Sequence, residues 1–209
     1  MRVNGQPATP GQQVTPGVDE VTVDGRPVQP VAEHSYVMVN KPVGVLTSVG
    51  DPRGRPTVTD HLDAEGRLYP VGRLDLNSRG LVLLTDDGEL AMRLMHPRYG
   101  VEKEYHVEVA GRPVASALQR LSRGLTIRGE SFQPADVRII DERPSTTRLA
   151  MVLREGRKRE VRRLWQALGH NVIDLQRVRI DGLRLGTLAE GAVRPLAPEE
   201  VARLKAAVS

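Results

Sequence analysis

The chain has 209 residues, 39% hydrophobic and 27% charged, an ordinary globular composition that excludes wholesale disorder and a large multidomain machine. Lys and Arg number 30 against 26 Asp and Glu, for a net charge of +4, and the absence of cysteine excludes disulfides, thiol nucleophiles, iron–sulfur clusters and thiolate zinc sites. No apolar run approaches the ~20 residues that cross a bilayer and MRVNGQPATPG lacks the order of a signal peptide, so the expectation is a cytoplasmic protein with no membrane partner.

Residues 1–30 hold four glycines and five prolines around short alternating stretches such as VTVDG, which predicts small strands and turns. From Tyr36 the pattern tightens. YVMVNKP and VLTSV read as strands, VTDHL as a short helix, and GLVLLTDDG as a buried strand ending in a turn. GELAMRLM reads as a helix, KEYHVEVAG as a half-buried strand, and VASALQRLSRG as a helix stopped by Gly124. ADVRIID and TTRLAMVLRE are further strands. KREVRRLWQALGH is an amphipathic helix that turns Val161, Leu164, Trp165 and Leu168 inward, with Arg159, Arg162 and Arg163 left to point elsewhere. VIDLQRVRI is a strand, and PEEVARLKAA closes the chain as a helix with proline at its start and acids in its first turn.

Strands and helices interleave without a regular βαβ rhythm, and neither GxGxxG nor GxxxxGK[ST] occurs. The expected fold is α+β, with a mixed, largely antiparallel sheet, flanking helices and a cleft across one face. The five histidines (His34, His61, His96, His106, His170) are scattered, so no metal site is expected. Charge is concentrated in residues 154–163, REGRKREVRR, where six basic and two acidic residues leave 24 of each sign in the rest of the chain. Such a ridge suits a polyanion, because neutralised phosphates release counterions; it also suits an ordinary solvated helix face.

Asp75 lies in a glycine-flanked loop, GRLDLNSRG, directly before the most apolar strand. A carboxylate held still at a cleft by rigid backing can act as a nucleophile or acid/base. By itself the same pattern more often describes a turn aspartate bonding nearby backbone N–H groups. Tyr105 on its alternating strand has an ordinary core reading, and Trp165 on the apolar helix face reads as core.

KPVGVLTS, GRLDLNSRGLVLLT, VEKEYHVEV and EGRKREVRRLWQALGH stand in the order seen in the ribosomal small- and large-subunit pseudouridine synthase family, which the chain resembles from about Val37 to about Leu204. LMHPRYGVEKEY, LSRG and REVRRLW are most similar to the large-subunit branch. The resemblance implies the pseudouridine synthase fold and cofactor-independent isomerisation of one uridine in ribosomal RNA, most closely 23S: the N1 glycosidic bond breaks, the detached uracil turns, and C5 bonds to C1′. It implies Asp75 as the catalytic aspartate, attacking ribose or base or assisting glycal formation, and Arg162 as the arginine that pairs with it and keeps it ionised. Tyr105 would pack on the target uracil and assist loss of the C5 proton. Arg73 would fill the space left by the flipped nucleotide, or else contact a phosphate. Lys41 matches the first motif and is expected near the cleft, while Arg157, Lys158, Arg159, Arg163 and Arg177 are expected to contact RNA.

The same resemblance divides the chain into a catalytic domain at 34–209 and a partial S4-like RNA-binding segment at 1–33, of which only the strand half is recognisable. The expectation is a monomer whose catalysis needs residues 37–204 and which holds large RNA more weakly than a relative with the whole module. Three rival readings stand beside it: a small-subunit (16S) synthase, a catalytically silent RNA-binding or ribosome-assembly factor, and an N-glycoside hydrolase that releases free uracil.

Overall fold

A computed structural model describes residues 1–15, 17–28, 33–60, 62 and 68–209. The chain divides into two compact units, Met1–His34 and Ser35–Ser209. In the first, β1 (Arg2–Val3), β2 (Gln6–Pro7), β3 (Val21–Val23) and β4 (Arg26–Pro27) form an antiparallel sheet in the order β2-β1-β3-β4. Two of its turns are Asn4-Gly5 and Asp24-Gly25, with φ of 50° and 78°, and 51° and 76°. Two successive positive φ values make the tight hairpin turn that matches strand twist, and Asn-Gly and Asp-Gly are the pairs that adopt it most readily. Among its described residues only Val3 is buried.

The second unit begins with β5 (Tyr36–Lys41), β6 (Tyr69–Val71), β7 (Arg79–Thr85), α1 (Gly88–Met95), β8 (Lys103–Ala110) and α2 (Ala115–Arg123). The hairpin β9 (Leu125–Ile127) and β10 (Glu130–Phe132) follows, then β11 (Asp136–Glu142), β12 (Thr146–Leu153), α3 (Glu160–Ala167) and β13 (Val172–Ile180). β14 (Leu183–Arg184), β15 (Val193–Pro195) and α4 (Pro198–Ala206) complete it. The main sheet runs β11-β12-β8-β13-β7-β5-β15, with β14 beside β13 and β6 beside β7. Every neighbouring pair is antiparallel except β7 and β13, which meet in parallel at Arg79–Gln176 and Gly80–Arg177. Two antiparallel blocks are thus joined at one short parallel seam.

Alternation along β7 explains its unbroken apolar sequence. Val82 and Leu84 enter a core shared with Trp165, Val161 and Leu164 of α3 and Leu121 of α2, while Leu81 and Leu83 enter a second core with Leu90 and Leu94 of α1 and Leu204 of α4. A strand covered on both faces reads as a continuous hydrophobic run. α1 starts where Asp87 accepts from the Leu90 N–H at 2.9 Å, and Pro198 opens α4.

VLTSV differs from expectation. It makes one isolated bridge, Leu46 to Thr57, because its backbone bonds go to Pro56 and Val58 and the Thr47 hydroxyl is engaged by Leu74. VTDHL forms a turn over residues 58–60, and His61 lies outside the described residues. The strands β6, β9, β10, β14 and β15 have only two or three residues each, too few to show a period.

Candidate active site

The loop of residues 72–78 carries Asp75 from β6 into β7 at the parallel seam. Its backbone is tied down carbonyl by carbonyl. Thr47 Oγ1 donates to Leu74 O at 3.0 Å and accepts from Leu74 N at 3.2 Å. Ser78 N donates to Asp75 O at 3.0 Å and Gly44 N to Leu76 O at 2.9 Å. Arg162 Nη2 donates to Asn77 O at 2.7 Å, and Lys41 Nζ donates to Ser78 O at 2.6 Å and to Pro42 O at 2.8 Å. Every carbonyl from Leu74 to Ser78 therefore has a donor, and the buried Leu74 side chain pins the loop to the core.

The Asp75 side chain itself is half-buried and accepts no hydrogen bond among the described residues. A carboxylate on a rigid backbone with its lone pairs unspent is poised to act on a bound molecule. Two cations set the local potential. Lys41 is fully buried, and desolvation lowers its pKa to about 8, with the charges of Asp75 and Glu190 pulling the other way. Arg162 is drawn below the usual arginine range by burial first and by Arg159 second, opposed by Asp75 and Asp174; arginine stays charged regardless. The expected contact of Arg162 with Asp75 takes a different form: no ion pair within 4.0 Å joins them. Arg162 spends Nη2 on Asn77 O and Nη1 on Val172 O at 3.2 Å, so it braces the loop and acts on Asp75 through space.

Strand register places a row of residues across the seam. Lys41 on β5 is opposite Gly80 on β7, Gly80 opposite Arg177 on β13, Arg177 opposite Tyr105 on β8, and Tyr105 opposite Met151 on β12. Directly opposed residues share a face, so Tyr105 stands two strands from the start of β7, where the Asp75 loop ends, on the α3 side. Its ring is 8% exposed and no group bonds its hydroxyl among the described residues. Gly80 has φ of 105°, and a Cβ there would lie 2.3 Å from Arg177 O, so only glycine lets the two strands meet. Arg177, expected to contact RNA, is interior instead, 2% exposed with Nε on Leu81 O at 2.7 Å, and Lys41, expected near the cleft, is at 0%. Both donate to backbone acceptors at the seam.

The basic ridge is partly neutralised. Arg157 pairs with Glu155 and lies 5.1 Å from the Phe132 ring centroid, and Arg163 pairs with Glu130 at 4.6 Å from the same centroid. Arg73, Lys158 and Arg159 are exposed and have no partner among the described residues. Arg159 takes a left-handed φ of 54° just before α3, a conformation non-glycine residues seldom adopt. Thr47, Gly44 and Gly80 hold the loop without having been singled out by residue type; Thr47 and Gly44 stand in KPVGVLTS and Gly80 in GRLDLNSRG, and those motifs were the only signal. No group of three or more His, Asp or Glu able to hold a metal ion occurs among the described residues.

A family model described as RNA pseudouridylate synthase matches residues 35–167. The chain is 40% identical over 210 residues to ribosomal large subunit pseudouridine synthase B of Bacillus subtilis, covering 99% of this chain and 85% of that protein. It is also 40% identical to an uncharacterised RNA pseudouridine synthase of Aquifex aeolicus, over 100% of this chain and 84% of that one. A crystal structure of a pseudouridylate synthase superimposes with a TM-score of 0.75 at 32% identity, over 97% of this chain and 87% of the other. The archaeal box H/ACA Nop10–Cbf5 complex shares the fold alone, at TM-score 0.53 and 16% identity over 72% of this chain and 48% of the other. The chain belongs to the RNA pseudouridylate synthase family and is an enzyme that isomerises uridine to pseudouridine in RNA.

Proposed function

We propose that the enzyme acts on large-subunit (23S) ribosomal RNA, with Asp75 as the residue that attacks a flipped-out nucleotide. The substrate class rests on the 40% identity to the Bacillus protein named for the large ribosomal subunit. The observation that carries the role of Asp75 is its free, half-buried carboxylate on a loop whose five consecutive carbonyls from Leu74 to Ser78 are all bonded. In this reading the N1–C1′ bond breaks, the uracil turns, C5 bonds to C1′ as the bond Asp75 made to the nucleotide is released, and a proton leaves C5 as one arrives at N1. Lys41 and Arg162 place two positive charges around the Asp75 loop, and Tyr105 supplies the ring against which the single extruded base packs. Arg73 occupies the space the nucleotide vacates, and Arg157, Lys158, Arg159 and Arg163 follow the RNA backbone. These steps use only the chain's own side chains, working as a monomer in the cytoplasm, where ribosomal RNA is. The segment 1–33 serves as a partial S4-like RNA contact ahead of a catalytic domain at 34–209.

Asp75→Asn tests the central role. Incubated with ribosomal RNA, the variant should bind within threefold of wild type and form no pseudouridine by nucleoside mass spectrometry; product at the wild-type rate overturns the role. Mapping pseudouridines in both ribosomal subunits of cells lacking the gene separates 23S from 16S, and release of free uracil would point to a hydrolase.

A further inference from the structure

Four buried polar side-chain atoms lack a hydrogen-bond partner among the described residues: Asn40 Oδ1, Ser78 Oγ, Arg162 Nε and Arg177 Nη2. All four residues touch or pair with the stretch 77–81: Ser78 lies within it, Arg162 bonds Asn77 O, Arg177 bonds Leu81 O, and Asn40 is opposite Leu81 in the ladder. Native proteins leave few such atoms, and each calls for a cause.

Arg177 is the most costly of the four to leave unpaired. Its guanidinium is 2% exposed, and no carboxylate pairs with it among the described residues. Two other half-buried arginines do pair with acids: Arg79 with Asp174 at 2.7 Å, and Arg179 with Glu104 at 2.9 Å. Lys103, on the same face of β8 two residues before Tyr105, feels this charge: its pKa is lowered to about 8, by burial first and by Arg177 second, with Glu160 pulling the other way. An uncompensated buried cation destabilises the free protein, so its retention points to a negative charge that arrives with the substrate. The register sets Arg177 directly opposite Tyr105 on the neighbouring strand.

We propose that Arg177 stabilises the negative charge that develops on the uracil when its bond to the ribose breaks, as a buried cation on the residue opposite Tyr105, the ring on which the base rests. The inference rests on the reading of Tyr105 given above. When N1 departs it takes the bonding electron pair, and the charge spreads over N1, O2 and O4 until C5 bonds to C1′. A fixed cation in a water-poor site needs no reorganisation to meet that charge.

Arg177→Gln and Arg177→Lys test this under single-turnover conditions at saturating ribosomal RNA. The glutamine variant should lose at least 100-fold in the rate of pseudouridine formation and the lysine variant no more than tenfold, both binding RNA within threefold of wild type. Equal losses in the two variants, or no loss in either, overturn the proposal. Should the glutamine variant not fold, RNA carrying 5-fluorouridine at the target decides, read as the rate of glycosidic bond cleavage. The fluorine bears part of the developing charge, so the deficit of the lysine variant should shrink, and an unchanged deficit overturns the proposal. Asp75→Asn run alongside separates the two claims, since turnover by that variant refutes the aspartate role while the charge dependence at position 177 is still read.

Discussion

Lys41 has two effects at the site, because its ammonium both holds Ser78 O and raises the potential at Asp75. Burial lowers its pKa to about 8 in the folded chain, while an unfolded lysine holds its proton to about 10.5. Below about pH 8 both states are protonated and the desolvation penalty stands in full; between those values the folded state alone sheds the proton, so rising pH stabilises it. Urea denaturation of wild type and Lys41→Met should show wild type gaining on the variant between pH 8 and 10.5. Parallel pH slopes would mean that the ammonium is solvated. At neutral pH the variant should also form pseudouridine at least tenfold more slowly, since Ser78 O and Pro42 O lose their donor. Gly80 contributes by absence: the 2.3 Å approach of a would-be Cβ to Arg177 O explains why the strand carrying the aspartate loop can enter the seam at all.

α3 shows which part of an element a sequence discloses. Its apolar spacing places Val161, Leu164 and Trp165 in the core, as the helical period requires. Leu168 falls at the cap and is half-buried. The charges around the helix look alike in sequence and differ in space. Arg157 and Arg163 are tied to Glu155 and Glu130 and flank Phe132, whereas Lys158 and Arg159 are unpartnered among the described residues. A cation already paired releases fewer counterions when a phosphate meets it. Lys158→Ala and Arg159→Ala should each flatten the plot of log affinity for RNA against log salt by roughly 0.7–0.9, and Arg157→Ala and Arg163→Ala by clearly less. Fluorescence anisotropy across a potassium chloride series reads this directly, and equal slopes for all four would show that the ion pairs open on RNA.

The whole chain is two units with unequal means of support. Met1–His34 is a set of short hairpins with Val3 its one buried described residue, while Ser35–Ser209 has two cores on opposite faces of one sheet. Residues 35–209 expressed alone should keep the urea midpoint reported by the lone, fully buried Trp165 within about 0.3 M and should isomerise a short target RNA. Binding of long ribosomal RNA should weaken; a collapse of the midpoint would show that the first unit props up the second. The sequence by itself determined the α+β class, most long strands and all four helices, because periods of two and 3.6 are local properties of the chain. It also marked Asp75, through the motif around it. Only the tertiary structure decided that Lys41 and Arg177 are interior, that Arg162 braces Asn77 O, and that Tyr105 and Arg177 stand side by side. Those relations join residues that lie 37 to 96 positions apart in sequence, and no local pattern encodes which carbonyl a distant cation will find.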